Sequence, residues 1–463
     1  MREPGDVLLV ACYELGHQPL AVAWPAAFLE RAGYRPALMD TSVEPVDAEK
    51  LARAKVVAVS VPMHTALRLG LEVAARARAV NPGAHVCFFG LYATLNAEFL
   101  FAHGVASVIG GESETPLLAL IAALERGDAG PVPGVGRPGQ PAAPHLRRLD
   151  FPVPSRAGLP SIKKYAHLER DGRMELAAYV ESSRGCLHRC RHCPIPPVYG
   201  GRFFAVPREV VLADVRQQIE AGARHVTFGD PDFLNGPTHA LALARDLHAE
   251  WPDVSFDFTA KIEHLLRHRA HLPALREAGC LFVVSAAESL SDTVLAHLEK
   301  GHTRADILAA LAATREADIT LRPTWVAFTP WTTLDDHRAW LDFLAAEALI
   351  DHVDPVQYGL RLLIPPGSLL LETEALRPHL GSLEQETLSY RWTHSDPRMD
   401  RLQAETAQIV AQAVEVQADT PGLFDRVRAM AAEAAGAPAP APLRGEMAKG
   451  RKRPPRLSEA WFC

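Results

Sequence analysis

No run of apolar residues in this chain approaches the roughly 20 that a membrane-spanning helix needs, which excludes a helical span. The start, MREPGDVLLVACYELGHQP, has an apolar run that is too short for a secretory signal and is broken by Tyr13 and Glu14, so it reads as a first strand. Positive charge is in deficit: 48 Lys and Arg against 55 Asp and Glu leave a net charge of −7, which argues against a non-specific nucleic-acid binder. Cysteine is scarce, with seven residues in 463, and three of these fall in one loop. That distribution excludes a disulfide framework and fits a reducing, cytoplasmic setting, with neither membrane nor nucleic acid as partner. What remains is ordinary for a globular protein, 48% hydrophobic and 22% charged, and long enough for two or three cored domains.

Residues 1–126 alternate short apolar runs (DVLLVAC, YRPALMD, VVAVSV, HVCFFG, ASVIGG) with amphipathic stretches. Strand–helix alternation predicts a doubly wound, Rossmann-like α/β domain whose ligand binds beyond the carboxyl ends of the strands. Residues 127–173 are rich in Pro and Gly and read as a linker or strap. A second alternating series over 174–375 has six strand candidates, MELAAYVES, HVTFGD, SFDFTA, LFVVSAA, ITLRPTWVAF and PVQYGLRLLI, and predicts a partial (β/α)6 barrel of the TIM type. Residues 376–436 read as helices, including EQETLSYRWTH, and 437–463 as a flexible basic tail.

The stretch SSRGCLHRCRHCPIP follows the first barrel strand, on the mouth side where barrel active sites lie. It places Cys186, Cys190 and Cys193 in the pattern C-x3-C-x2-C. Three thiolates can hold three irons of a cubane and leave the fourth open to an exogenous ligand. Two other readings use the same residues. One is a zinc site completed by His188 or His192, in a zinc-stabilised binding module; the other is three buried structural cysteines, which the neighbouring Arg and His make too polar for a core.

SRGCLHRCRHCPIP resembles the cluster loop of the radical S-adenosylmethionine (SAM) superfamily. The resemblance implies that Cys186, Cys190 and Cys193 are the metal ligands of a [4Fe-4S] cluster, whose open iron binds SAM and whose reduction releases a 5′-deoxyadenosyl radical. HVTFGDPDF resembles the second-strand segment of the family and implies SAM-binding roles for Gly229, Asp230 and Asp232. FVVSAAESLSDTVLAHLEKGHT resembles the fourth-strand motif and implies the same for Glu288 and Ser289. LRLLIPPGSLLLE resembles the sixth-strand region of cobalamin-associated members.

The leading domain resembles the cobalamin-binding domain that precedes such barrels, through VSVPMHTALRLG, FFGLYATLNAEFL and VIGGESETPLLALI. This implies that Ser60, Gly90, Gly110, Gly111 and Glu112 surround the corrin or its nucleotide tail. The D-x-H-x-x-G pattern that supplies a cobalt-ligating histidine is not in place, since His17 in CYELGHQPLAVAW has neither its aspartate nor its glycine. The expected function is a radical SAM enzyme, cobalamin-associated, carrying out methyl transfer or rearrangement on a small molecule or peptide. Its electron donor would be a flavodoxin or ferredoxin. A cobalamin-free radical SAM maturase is the alternative. Finally, RPPRLSEAWFC resembles radical SAM proteins whose tails read Cys–Cys–Ala–Glu–Pro, or have selenocysteine in the second place, so a UGA codon is expected after Cys463.

Overall fold

The computed structural model describes residues 1–415, 420–443 and 453–458; Cys463 and the tail motif expected around it lie outside them. The first domain is built on a six-stranded sheet of β1 (Val7–Ala11), β2 (Ala37–Asp40), β3 (Val56–Ser60), β4 (His85–Phe89), β5 (Ser107–Ile109) and β6 (Val135–Gly136). The order is β2-β1-β3-β4-β5-β6, parallel throughout except for β6. Strands buried on both faces read as continuous apolar runs, and VLLVA and VVAVS are of that kind. Order reverses between β1 and β3, so the crevice for a ligand lies at the carboxyl ends of those two strands.

The helix Leu20–Arg31 leaves β1 through Pro19, which offers its first turn no side-chain cap. Glu14 supplies one: its carboxyl accepts from the amides of Leu20 (3.1 Å) and Ala21 (3.3 Å). Burial, reinforced by the charges of Glu181 and Asp40, pushes this carboxyl up to about 8. The folded protein therefore retains a proton that the unfolded chain releases near 4.5, and stability present below that pH is lost as pH rises toward 8. Denaturant melts between pH 5 and 8 should show a falling stability, with at most about 1.4 kcal/mol per pH unit due to this group. That part of the slope should vanish in Glu14→Gln; an unchanged slope would refute the assignment.

Residues 127–173 form a strap rather than a free tether. The Pro152 carbonyl accepts from Trp24 Nε1 (3.1 Å). Arg156 joins the two halves of the chain, meeting Asp214 through two bonds (2.6 and 2.8 Å), Gln18 (2.9 Å) and the Tyr179 carbonyl (2.7 Å).

The second sheet curls into a half-barrel. It comprises β7 (His167–Arg170), β8 (Arg173–Val180), β11 (His225–Phe228), β12 (Ser255–Thr259), β13 (Cys280–Glu288) and β14 (Thr320–Trp325), with β17 (Arg456–Leu457) at one edge. β8 and β11 to β14 are parallel neighbours, while β7 and β17 run antiparallel at the edge. The large apolar core lies between this sheet and its helices, with Phe228, Phe256, Phe258 and Trp325 fully buried.

Two expected elements differ. PVQYGLRLLI forms a short 3-10 helix (Pro355–Gly359), and the sixth barrel position is held by one parallel bridge between Phe328 and Arg361. Gln357 explains this, because its side-chain carbonyl takes the Trp325 amide (2.8 Å) that a sixth strand would have paired. EQETLSYRWTH is not helical: Leu380–Glu384 (β15) and Ser389–Trp392 (β16) make an antiparallel hairpin. Tyr and Trp favour strands, and the segment finds partners in the Ile364 carbonyl (from the Tyr390 amide, 2.8 Å) and the Leu362 carbonyl (from Trp392 Nε1, 2.8 Å). The hairpin reaches the first domain, where Leu388 enters the core and the Thr387 carbonyl meets His64. Helices Pro397–Glu415 and Thr420–Ala434 then pack on the barrel.

Candidate functional site

The cysteine loop is fastened at its base by a small ladder. Ser183–Gly185 (β9) pairs antiparallel with Phe203–Ala205 (β10), so residues 186–202 form a closed excursion from the barrel mouth. Gly185 is required there. It has φ +76°, and a Cβ on it would lie 2.4 Å from the Arg202 carbonyl oxygen. Inside the excursion the Cys193 amide bonds the Cys190 carbonyl (3.2 Å) and the Arg191 amide bonds the Leu298 carbonyl (3.0 Å). Cys186, Cys190 and Cys193 are free thiols, the first two buried and the third half-buried.

Burial pushes the Cys193 thiol up to about 12 and raises Cys186. The Lys300 ammonium acts against this on Cys193 and favours its ionised form. Among the described residues, one trio of His, Cys, Asp or Glu brings its ligand atoms within 4.8 Å of one another, and it is not the three cysteines. The donor set suits a polynuclear iron–sulfur group with one iron left over.

The two second-strand aspartates hold the loop. Asp230 accepts from the Ser182 amide (2.9 Å) and hydroxyl (2.8 Å) and from the Ser183 hydroxyl (2.5 Å), and burial pushes its carboxyl up to about 6. Asp232, fully buried, caps the turn Phe233–Asn235 through the Leu234 amide (2.9 Å) and accepts from the Lys261 amide (3.2 Å). Gly229 gives way to an aromatic ring: a Cβ there would stand 2.2 Å from Tyr179, which itself stacks on His17 of the first domain (4.4 Å). His17 thus packs between the domains.

Glu288 ends β13 with φ +64°, a left-handed conformation costly for a residue with a Cβ. Burial alone would raise its carboxyl, but Lys300 Nζ (3.2 Å) and His192 Nε2 (3.0 Å) hold it below the ordinary carboxylate range. Ser289 is buried beside it and accepts from the Ser291 amide (3.1 Å). Through His192 and Lys300, Glu288 ties the fourth strand to the cysteine loop.

At the carboxyl edge of the first sheet, Ser60 ends β3, Gly90 follows β4 and Gly110 follows β5. The Ser60 and Thr94 hydroxyls and the Asn96 side-chain carbonyl are buried there without a hydrogen bond. Such a set calls for an outside polar partner, and it fits the nucleotide portion of a corrinoid. Thr94 lies against Gly110, where a Cβ would be 2.6 Å from its hydroxyl. Gly111 (φ +75°) carries a tighter demand, since a Cβ would meet the His145 carbonyl oxygen at 2.4 Å. Gly111→Ala is expected to cost about 1–3 kcal/mol in thermal or denaturant unfolding. Gly127→Ala, at φ +67° in open space, should cost less because it lacks the clash. Equal losses at the two positions would contradict this reading.

The Glu112 side chain is fully buried and accepts from Tyr199 (2.8 Å) of the cysteine excursion and from Arg184 (3.3 Å) at its base. Arg184, two residues before Cys186, also meets Glu114 (2.7 Å) and Glu181 (3.2 Å) and lies over the rings of Trp24 and Phe151. Sequence reasoning missed Arg184, Glu181, Lys300 and His264. Charge beside a cysteine loop is the signal that Arg184 carries; Lys300 and His264 reach the site only through the fold.

Residues 180–339 match the radical SAM superfamily and residues 7–121 match the B12 binding domain. A ribosomal protein uS12 methylthiotransferase (RimO) of Cereibacter sphaeroides is 28% identical over 279 residues, 56% of this chain and 57% of the relative. The hopanoid C-3 methylase of Methylococcus capsulatus is 26% identical over 325 residues, 68% of this chain and 62% of the relative. The chain thus spans about three fifths of the length of these two relatives. Among solved structures, the cobalamin-dependent SAM radical enzyme OxsB with aqua-cobalamin bound superposes with a TM-score of 0.70 at 14% identity, covering 88% of this chain and 67% of that one. The radical SAM methyltransferase TsrM of Kitasatospora setae, with cobalamin and a [4Fe-4S] cluster bound, gives 0.59 at 19% identity, covering 75% and 74%. At these identities the likeness is one of fold.

Proposed function

The chain couples a B12-binding domain to a domain of the radical SAM superfamily, and from that pairing we propose that it is a cobalamin-dependent radical SAM enzyme that transfers a methyl group to an unactivated centre of a small molecule or peptide. The observation that carries the reading is Arg184, which fixes the cysteine loop directly to the B12-binding domain through Glu112 and Glu114. Cys186, Cys190 and Cys193 would hold the cluster, and Ser60, Thr94 and Asn96 would face the nucleotide portion of the corrinoid. When bound, the cluster supplies the electron that cleaves SAM and the corrinoid supplies the methyl carrier.

The chain's own part is positional. Asp230 and the β9–β10 ladder fix the loop's entry, and Glu288, itself held by Lys300, fixes its far side through His192. Gly229, Asp230, Asp232, Glu288 and Ser289 would lie on the SAM side of the cluster, with Asp230 and Asp232 acting through the backbone they hold. A flavodoxin or ferredoxin would deliver the electron, and the free thiols suit a reducing cytoplasm. No helix among the described residues is long and apolar enough to cross a membrane.

Anaerobic purification with metal and corrinoid analysis tests the proposal. About four irons and one corrinoid per chain are expected, with 5′-deoxyadenosine or S-adenosylhomocysteine formed from SAM under reduction. Iron without corrinoid would leave the cobalamin-free alternative; stoichiometric zinc without iron would remove both.

A further inference from the structure

The trio with close ligand atoms is His188, Asp232 and His264. It draws on three separate segments: the cysteine loop, the exit of β11, and the helix Ile262–Arg267 that follows β12. We propose that His188 Nε2, His264 Nδ1 and Asp232 Oδ2 form a binding site for a single divalent cation of the zinc class, separate from the three cysteines. The inference goes beyond the radical SAM reading and stands without it.

The edges of the site are 2.9 Å from Asp232 to His264, 3.5 Å from His264 to His188 and 3.7 Å from His188 to Asp232. A tetrahedral ion with bonds of about 2.0–2.1 Å has ligand–ligand edges of about 3.3–3.4 Å, in the middle of that range. Asp232 and His264 are buried and His188 nearly so, which fixes the donors before any ion arrives.

The surroundings are those of a metal-binding imidazole. The Glu263 carboxylate stands 3.6 Å from His188 Nδ1, the nitrogen facing away from the site, and is itself held by Arg267 (2.7 Å). Asp232 is oriented by the Leu234 and Lys261 amides. The Lys261 ammonium and the Arg267 guanidinium both lean on Glu263, which leaves the Asp232 carboxylate as the charge that faces the ion. Three protein ligands leave a fourth position for water or an anionic oxygen. The ion would clamp the loop segment between Cys186 and Cys190 onto the ends of two barrel strands. The competing arrangement of the same atoms is a plain hydrogen-bonded stack, since His188 Nε2 also lies 3.1 Å from His264 Nε2.

The test loads the full-length, anaerobically reconstituted protein with Zn2+, removes loose metal with a weak chelator, and counts zinc and iron per chain. One zinc beyond the cluster iron is expected, falling at least fivefold in His264→Ala and Asp232→Asn and surviving in Cys186→Ala, which lacks the iron. Zinc that persists in the first two variants, disappears in the third, or is never retained would overturn the site and leave the hydrogen-bonded stack. Because Asp232→Asn can disturb the fold, zinc-edge X-ray absorption of the unmutated protein gives an independent reading. A nitrogen and oxygen shell at about 2.0–2.1 Å is expected, and a sulfur shell at about 2.3 Å would overturn the site. Failure here with iron, corrinoid and SAM cleavage intact would leave the enzyme reading untouched.

Discussion

Replacing any one of Cys186, Cys190 or Cys193 by alanine is expected to take iron from about four per chain to below one and to abolish SAM cleavage. Two thiolates cannot hold a cubane in a loop whose remaining donors, His188 and His192, already face Asp232 and Glu288. The informative control lies in the same chain. Cys12, Cys87 and Cys280 are equally free and more deeply buried, and burial pushes the first two thiols up to about 12. Their alanine variants should keep full iron, with losses confined to packing. Iron and acid-labile sulfide counts after anaerobic reconstitution decide the matter: a loop variant that retained four irons, or a Cys280→Ala that lost them, would refute the ligand assignment.

Arg184→Ala is expected to cost about 3–5 kcal/mol, the usual loss when one partner of a buried ionic cluster is removed. Glu112, Glu114 and Glu181 are all within reach of this one guanidinium, and burial already raises the carboxyls of Glu112 and Glu181, the latter to about 7. A raised carboxyl contributes stability that is complete below its unfolded value and is lost as pH rises through the folded one. Without the arginine these groups shift further upward, so the variant should be hurt more at pH 8 than at pH 5.5. Arg184→Lys should recover only part of the loss, because an ammonium cannot reach carboxylates on two sides while lying flat across Trp24 and Phe151. Denaturant unfolding at the two pH values measures both effects. A loss below about 1 kcal/mol would mean that the cluster is solvated and contributes little.

The legible parts of this protein were those with local periodicity or tight spacing. Runs such as VLLVA and VVAVS announce strands buried on both faces, and C-x3-C-x2-C announces a metal loop without help from the rest of the chain. What stayed hidden depends on distant partners. Ser389–Trp392 is a strand because the Ile364 and Leu362 carbonyls are there to be met, and 355–364 fails as a strand because the Gln357 side chain takes the amide it needed. Glu112 belongs to a glycine-rich turn that promises a ligand, yet its carboxylate answers to Arg184, 72 residues away. His264 meets Asp232 only because β11 and β12 are neighbours in register. The hydrogen bonds that Asp230 and Asp232 accept from the amides of Ser182, Leu234 and Lys261 leave no mark in the sequence around them.

β17 pairs with β7 through Arg456 and Leu457, and the Ser458 amide continues the ladder to the His167 carbonyl (2.8 Å). β7 is the outermost strand of the half-barrel on that side, and without this two-residue strip its outer row of amides and carbonyls would be open to any passing chain. Exposed edges of this kind template sheet-to-sheet aggregation. The Arg456–Glu169 ion pair (2.7 Å) secures the strip, so Arg456 and Leu457 cover an edge of the half-barrel that would otherwise stand open.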